Sequence, residues 1–192
     1  MPVTNVLIAG VGGQGAVLVS ELLAQAALAA GHDVKQGEFH GVAQRGGAVF
    51  SHVRFGERVY SPVTRLGEVD YLLALEKLEA LRYAHFLKPE GTIILNEHKV
   101  EPTRAGDERP YPENTIEFLE NKGFNVVATK ATEMAIEMGN HRAANVVLLG
   151  ALAALIDIPL EVWESTLERL PERILSLNRQ AFAAGRQILV SA

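Results

Sequence analysis

The first strand of this chain and the glycine-rich turn after it constrain the fold more than any other feature. Residues 6–9, Val-Leu-Ile-Ala, form a short apolar run that is typical of a parallel strand buried on both faces. The turn Gly10-Val-Gly-Gly-Gln-Gly15 follows, and residues 16–30, rich in Ala and Leu, end before Gly31. A strand, a glycine turn and a helix in this order present free backbone N–H groups at a helix N-terminus, where an anion is favoured.

The glycines of this turn have the G-x-G-x-x-G spacing, and a side-chain amide lies among them. The candidate ligand-binding residues of the turn are therefore Gly10, Gly12, Gly13, Gln14 and Gly15. The alternative is that the glycines only let strand and helix pack closely. NAD binding also stays open, because Glu38 lies roughly where a dinucleotide site has its acidic residue, about 20 positions beyond the glycines. Against it, Gly37 precedes this glutamate and a polar loop surrounds it.

Composition narrows the class of protein. The chain has 192 residues, of which 48% are hydrophobic and 21% charged, as in a single soluble globular domain spanning residues 1–192. A formal net charge of −5 argues against nucleic-acid binding, which requires a basic face. The sequence contains no Cys, which excludes disulfides, thiolate zinc sites and iron–sulfur clusters ligated by these residues.

Nothing in the sequence predicts a membrane segment or a signal peptide. The longest apolar stretch, residues 146–158, is broken by Gly150 and Asp157 and is shorter than the roughly 18 residues of a membrane span. The opening Met-Pro-Val-Thr-Asn has neither a basic nor a long apolar region. We expect a cytoplasmic protein without membrane contact.

Hydrophobic periodicity predicts strands that alternate with helices. The predicted strands are 6–9, 33–36, 48–55, 58–61, 69–75, 92–96 and 125–129, and the predicted helices are 16–30, 76–87, 115–122, 131–138, 142–156, 160–169 and 172–189. Residues 97–114 are expected to form a surface excursion. The pattern favours an α/β fold with a Rossmann-like, mostly parallel sheet flanked by helices, and with a helical C-terminal third from about residue 131.

A second glycine-rich segment, residues 37–47, is predicted to be a polar loop between two strands. Its candidate site residues are Glu38, His40, Gln44, Arg45, Gly46 and Gly47. The guanidinium of Arg45 suits a carboxylate or phosphate, although it could instead pair with Glu38 and hold the loop together. His40 is a candidate acid–base group.

Three further positions carry specific expectations. The alternation in the third strand places His52 and Arg54 on one face with Phe50, which we interpret as a solvated or subunit-facing side of the sheet. Gly150 inside a helix costs about 1 kcal/mol relative to Ala, which predicts close packing against another element or chain. Asn145, near the start of the same helix, is interpreted from the sequence alone as a structural residue.

Several motifs occur together in one order: the turn at residues 10–15, the loop at 37–47 with its strand 48–54, and the segment Asn145-Val-Val-Leu-Leu-Gly-Ala-Leu152. In this combination the sequence resembles the gamma-type domain of the 2-oxoacid:ferredoxin oxidoreductases, over nearly its whole length and most closely the indolepyruvate type. The resemblance adds Asn145 to the candidate site residues.

The resemblance implies a subunit of an enzyme that oxidatively decarboxylates a 2-oxoacid with coenzyme A to acyl-CoA, CO₂ and reduced ferredoxin. Thiamine diphosphate and [4Fe–4S] clusters would then lie on a larger, ferredoxin-like partner subunit, coenzyme A would be a co-substrate, and this chain alone would bind no cofactor. The isolated chain would be inactive, and a homodimer is one state open to it. The alternative is an NAD(P)- or CoA-binding Rossmann-like module.

Overall fold

A computed structural model of the chain describes residues 2–40, 47–101 and 110–189. Its strands are β1 (Thr4–Val11), β2 (Asp33–His40), β3 (Ala48–Gly56), β4 (Val69–Ala74), β5 (Leu87–Asn96) and β6 (Asn125–Thr129). Its α-helices are α1 (Ala16–Ala29), α2 (Lys77–Tyr83), α3 (Thr115–Asn121), α4 (Ala131–Glu137), α5 (Ala144–Ala153), α6 (Leu160–Leu167) and α7 (Glu172–Gln187).

The six described strands form one sheet in the order β2-β3-β1-β4-β5-β6. The strands β1, β4, β5 and β6 are mutually parallel, whereas β3 runs antiparallel to both β1 and β2. The strand β2 therefore has the same direction as β1, and β3 alone is reversed. This confirms the predicted α/β fold with a mostly parallel sheet.

Helices cover both faces of the sheet, so β1 is buried on both of its faces. Val6 and Ile8 point into a core shared with α1 and with the C-terminal helices α4 to α7. Leu7 and Ala9 point into a second, smaller core with α2 and α3. Each of these four β1 side chains is completely buried, as the continuous apolar run predicts.

Several predicted boundaries are wrong, and in each case tertiary hydrogen bonds or packing outweigh local propensity. The strand β2 was expected to end at residue 36 but continues to His40, because it pairs along its full length with β3. The predicted helix 76–87 ends at Tyr83 and is followed by a short 3-10 turn, Ala84–Phe86. The strand β5 begins at Leu87 rather than at residue 92, and it accommodates the turn-forming residues 88–91 as an irregularity in its pairing with β4.

The predicted strand 58–61 is also wrong, since residues 57–68 contain neither helix nor strand. Side chains satisfy this backbone instead. Arg54 donates hydrogen bonds to the carbonyl oxygens of Ser61 (3.0 Å) and Val63 (2.9 Å). The carboxylate of Asp33 accepts from the Val59 N–H at 2.8 Å. The segment is therefore held without a partner strand.

Backbone contact between α5 and α7 organises the helical C-terminal third. All ten residues of α5 are buried. A methyl group on Gly150 would overlap the carbonyl oxygen of Phe182, and a methyl group on Gly185 would overlap that of Val147. The two glycines therefore let the helices cross without side chains between them, which confirms the close packing expected at Gly150.

We expect Gly150→Ala to destabilise the protein by about 1–3 kcal/mol or more, because the added methyl overpacks this crossing. Helix propensity alone would give the opposite sign, a gain of about 1 kcal/mol. Urea denaturation measures the difference. The matched control is Ala183→Gly on the exposed side of α7, which reports the propensity effect without a packing change. A stabilised Gly150→Ala variant would contradict the close contact.

Candidate functional site

The glycine turn after β1 lies at the topological switch point of the sheet. From β1 the chain enters α1 on one face, and from the adjacent strand β4 it enters α2 on the other face. The two connections diverge at the carboxyl ends of neighbouring parallel strands. Open α/β sheets bind their ligands in the crevice expected at such a switch point.

Left-handed glycines shape the turn itself. Gly13 and Gly15 have φ angles of 99° and 84°, in the region that side chains other than glycine disfavour. The Gln14 N–H donates to the Val11 carbonyl oxygen at 3.1 Å. Gly15 precedes the first turn of α1, and no side chain caps that helix. The first N–H groups of α1 lie at this turn and are the donors that the sequence predicts for an anionic ligand.

The side-chain amide of Gln14 is used within the chain. Its Oε1 accepts from the Val11 N–H at 2.8 Å, and its Nε2 donates a longer bond of 3.5 Å to the Leu75 carbonyl oxygen at the end of β4. A side chain on Gly10 would lie 3.0 Å from that Oε1 and 2.9 Å from Leu75 Cδ1. Gln14 thus braces the turn against β4, whereas the glycine-rich motif predicts that it offers its amide to a ligand.

A backbone hydrogen bond joins the two glycine-rich segments. The Gly12 N–H donates to the Gly47 carbonyl oxygen at 2.9 Å. The reversed direction of β3 brings the start of that strand to the carboxyl end of β1, and His40 is the last residue of β2 at the same edge. Both anchors of the second loop therefore adjoin the first. Gln44, Arg45 and Gly46 lie outside the described residues.

Asn145, in the first turn of α5, reaches the glycine turn from the other side. Its Nδ2 lies 3.4 Å from the Gly15 carbonyl oxygen and occupies the space that a side chain on Gly15 would need. Its Oδ1 is buried and accepts no hydrogen bond from the described residues. A buried polar atom usually has a partner, and the partner of this oxygen is not among the described residues.

The position of Glu38 weighs against a dinucleotide site. This exposed residue lies on β2, and β3 separates β2 from β1. Two strand spacings, about 10 Å, thus separate β2 from the strand that carries the glycines. In the dinucleotide fold the strand with the acidic residue is adjacent to the first. The carboxylate of Glu38 instead accepts from Gln36 Nε2 at 3.1 Å.

His52 is not on a solvated or subunit-facing surface, so that interpretation is wrong for this residue, whereas Arg54 is partly exposed. His52 is 1% exposed and lies among the rings of Phe39, Phe50 and Phe86 at centroid distances of 5.6, 5.8 and 5.6 Å. Burial, with a smaller effect of Arg54, lowers the pKa of His52 to about 4. The Nε of Arg54 donates to Asn5 Oδ1 at 2.8 Å.

Sequence reasoning missed a group of buried polar residues at the carboxyl edge of the sheet. Glu76 directly follows Leu75 and is completely buried, and Asn96 ends β5 at 3% exposure. The Nδ2 of Asn96 donates to the Leu75 carbonyl oxygen at 3.2 Å, the same oxygen that Gln14 approaches. Their position at the carboxyl ends of two buried strands was the available signal.

Two kinds of feature are absent from the described residues. Across residues 2–40, 47–101 and 110–189, no three His, Asp or Glu side chains are grouped to hold a metal ion. Within the same ranges, no helix is long and apolar enough to cross a bilayer.

We expect Gly15→Ala to destabilise the protein more than Gly31→Ala does, by about 1 kcal/mol or more, because only the first substitution displaces a buried side chain. Both glycines have similar positive φ angles, 84° and 88°, but nothing lies within 4 Å of a side chain at residue 31. The cost of placing Ala at a positive φ angle is therefore similar in both variants and cancels in the comparison. Urea denaturation of both variants makes the comparison, and equal losses would contradict the Asn145 contact.

His52 should make the protein less stable as the pH falls from about 6.5 toward 4. Its pKa is lower in the folded than in the unfolded state, so the unfolded chain binds the proton first. His52→Leu should therefore weaken the pH dependence of unfolding, by at most about 1.4 kcal/mol per pH unit in this range. Denaturation midpoints from pH 4 to 7 test this against His141→Leu, an exposed histidine. Identical pH slopes for His52→Leu and the unmodified chain would refute it.

Solved structures of known proteins have this fold. A solved keto/oxoacid ferredoxin oxidoreductase gamma subunit from Geobacter sulfurreducens superposes with a TM-score of 0.75 at 28% identity, covering 98% of this chain and 99% of that one. In the solved 2-oxoglutarate:ferredoxin oxidoreductase from Magnetococcus marinus, the same fold forms 32% of a longer chain, which matches all of this one with a TM-score of 0.78 at 21% identity.

Sequence similarity extends over the same length. The chain is 37% identical over 190 residues to the indolepyruvate oxidoreductase subunit IorB of Thermococcus kodakarensis, covering 94% of this chain and 93% of that protein. The family model described as pyruvate ferredoxin/flavodoxin oxidoreductase matches residues 5–188. With its glycine turn at the switch point and its second loop joined to that turn, the chain belongs to the pyruvate ferredoxin/flavodoxin oxidoreductase family.

Proposed function

We propose that this chain is a subunit of a cytoplasmic 2-oxoacid:ferredoxin oxidoreductase of the indolepyruvate or arylpyruvate type. In the reaction, a 2-oxoacid and coenzyme A are converted to acyl-CoA and CO₂ while ferredoxin is reduced. The similarity to IorB along nearly the whole chain carries the proposal. The chain would complete an active site with a larger subunit and would be inactive alone.

The division of labour follows from what the chain lacks and what it offers. The sequence contains no Cys, so the [4Fe–4S] clusters are assigned to the partner. Thiamine diphosphate, also assigned to the partner, supplies the electron sink for decarboxylation. This chain contributes backbone donors at the N-terminus of α1, which bind and orient an anionic group. The Oδ1 of Asn145, which has no partner among the described residues, lies beside them.

We assign an anionic ligand group to this crevice, contacted by the glycine turn and by the second loop. The site residues proposed are Gly10, Gly12, Gly13, Gln14, Gly15, Glu38, Gln44, Arg45, Gly46, Gly47 and Asn145, with His40 as an acid–base candidate. Gly10, Gly12 and Gln14 act by shaping the turn. The Gly12 N–H and the Gln14 amide are hydrogen-bonded within the chain, and no space is left for a side chain at Gly10. A phosphate of coenzyme A fits donors of this kind, and coenzyme A is bound in the Magnetococcus enzyme.

The first experiment compares the full chain alone with the chain co-produced with the thiamine-binding subunit of its own source. Reduction of an artificial electron acceptor is measured with indolepyruvate and coenzyme A. We expect activity in the co-produced complex and none in the isolated chain. Activity of the isolated chain, or tight NAD binding in a calorimetric titration, would overturn the proposal.

Within the active complex, Arg45→Ala should raise KM for coenzyme A or for the 2-oxoacid by tenfold or more, roughly the value of one charge-assisted hydrogen bond. Whichever KM rises identifies the anion. Arg173→Ala, at an exposed position of α7, is the matched control and should leave both constants unchanged. Unchanged constants in Arg45→Ala would remove this residue from the site.

A further inference from the structure

We propose that Glu76 is a positioning residue that couples the connection between β5 and α3 to the glycine turn. The inference rests on the proposed function only in treating that turn as the ligand site. Glu76 is completely buried at the end of β4. Among the described residues it forms no ion pair, although burial of a carboxylate is costly unless the group is well hydrogen-bonded.

Neutral donors from three places surround this carboxylate. Its Oε2 accepts from the Glu79 N–H of α2 at 3.0 Å, and its Oε1 accepts from the Val100 N–H at 3.1 Å. The hydroxyl of Tyr111 also donates to Oε1, and the same hydroxyl accepts from the Leu78 N–H at 3.0 Å. Each carboxylate oxygen thus has a donor, so the buried group is satisfied by hydrogen bonds.

Two of these donors belong to the connection that joins β5 to α3. Val100 is near its beginning and Tyr111 near its end, and the Lys77 N–H adds a hydrogen bond of 3.2 Å to the His98 carbonyl oxygen. A single side chain therefore fixes both ends of the connection to the carboxyl end of β4. The two ends of the connection therefore lie at the switch point, beside the glycine turn.

Leu75, the residue before Glu76, links Glu76 to the glycine turn through its carbonyl and its N–H group. The Leu75 carbonyl, which immediately precedes Glu76, receives the side-chain amides of Asn96 at 3.2 Å and Gln14 at 3.5 Å. The Leu75 N–H donates to the Ala9 carbonyl oxygen of β1 at 2.8 Å. A rotation of Glu76 would turn the shared peptide and displace Gln14, whose Oε1 holds the Val11 N–H.

Glu76→Gln tests the coupling, because a carboxamide cannot accept hydrogen bonds at both of its ends. Residue-resolved hydrogen exchange on the full chain is the measurement. We expect exchange about tenfold faster at Val11 and at whichever of Val100 and Glu79 then faces the NH₂ group of Gln, the effect of losing one buried hydrogen bond at each. The amides of Leu7 and Ile94 in the central strands should keep their rates. Glu120→Gln, an exposed position on α3, is the control and should change none of them.

Faster exchange at Val11 is the readout that a purely local role would not produce. Acceleration confined to Val100 or Glu79, or no acceleration at any of the three amides, would overturn the proposal. If Leu7 and Ile94 also exchange faster, the variant is globally unstable, and Tyr111→Phe replaces it. That variant keeps the carboxylate and removes one donor, and Leu78 is then the local amide that is compared with Val11. The readout needs no ligand and no partner, so it stands apart from any failure of the proposed function.

Discussion

Contact between the backbones of α5 and α7 fixes the position of α5, the helix whose Asn145 contacts the glycine turn. With glycine at residues 150 and 185, nothing separates the two helices, and α5 is buried along its whole length. Asn145 in its first turn can therefore reach the Gly15 carbonyl oxygen. A wider crossing would move α5 relative to the sheet and withdraw this amide from the turn. The geometry of the candidate site thus depends on the contact that Gly150 of α5 makes with α7.

Reversal of β3 distinguishes this site from that of a dinucleotide-binding protein with the same glycine spacing. The reversed strand lies between β1 and β2, which moves Glu38 away from the glycines. It also starts where β1 ends, so the Gly47 carbonyl oxygen can accept from the Gly12 N–H. The motif is shared with nucleotide-binding folds, but the neighbouring strand makes its surroundings different.

Local signals predicted the parts of the fold that depend on continuous burial. The apolar run at residues 6–9 and the Ala- and Leu-rich helix after it lie where the sequence places them, and the family resemblance is confirmed. The extension of β2 to His40, the buried position of His52 and the hydrogen bonds of Glu76 could not be read in this way. Each depends on a partner distant in sequence, such as Tyr111 for Glu76. The roles of the proposed ligand-binding residues remain predictions.

The reversed strand also determines where this fold can change without losing its register. The second loop joins the end of β2 to the start of β3, two antiparallel neighbours, whereas the other strand connections at that edge lead into helices. Insertions in a loop between antiparallel neighbours leave strand pairing intact and cost little entropy. This loop can therefore lengthen, shorten or exchange side chains while the parallel strands and the first turn stay in place. Changes of sequence at a constant scaffold are therefore least costly here.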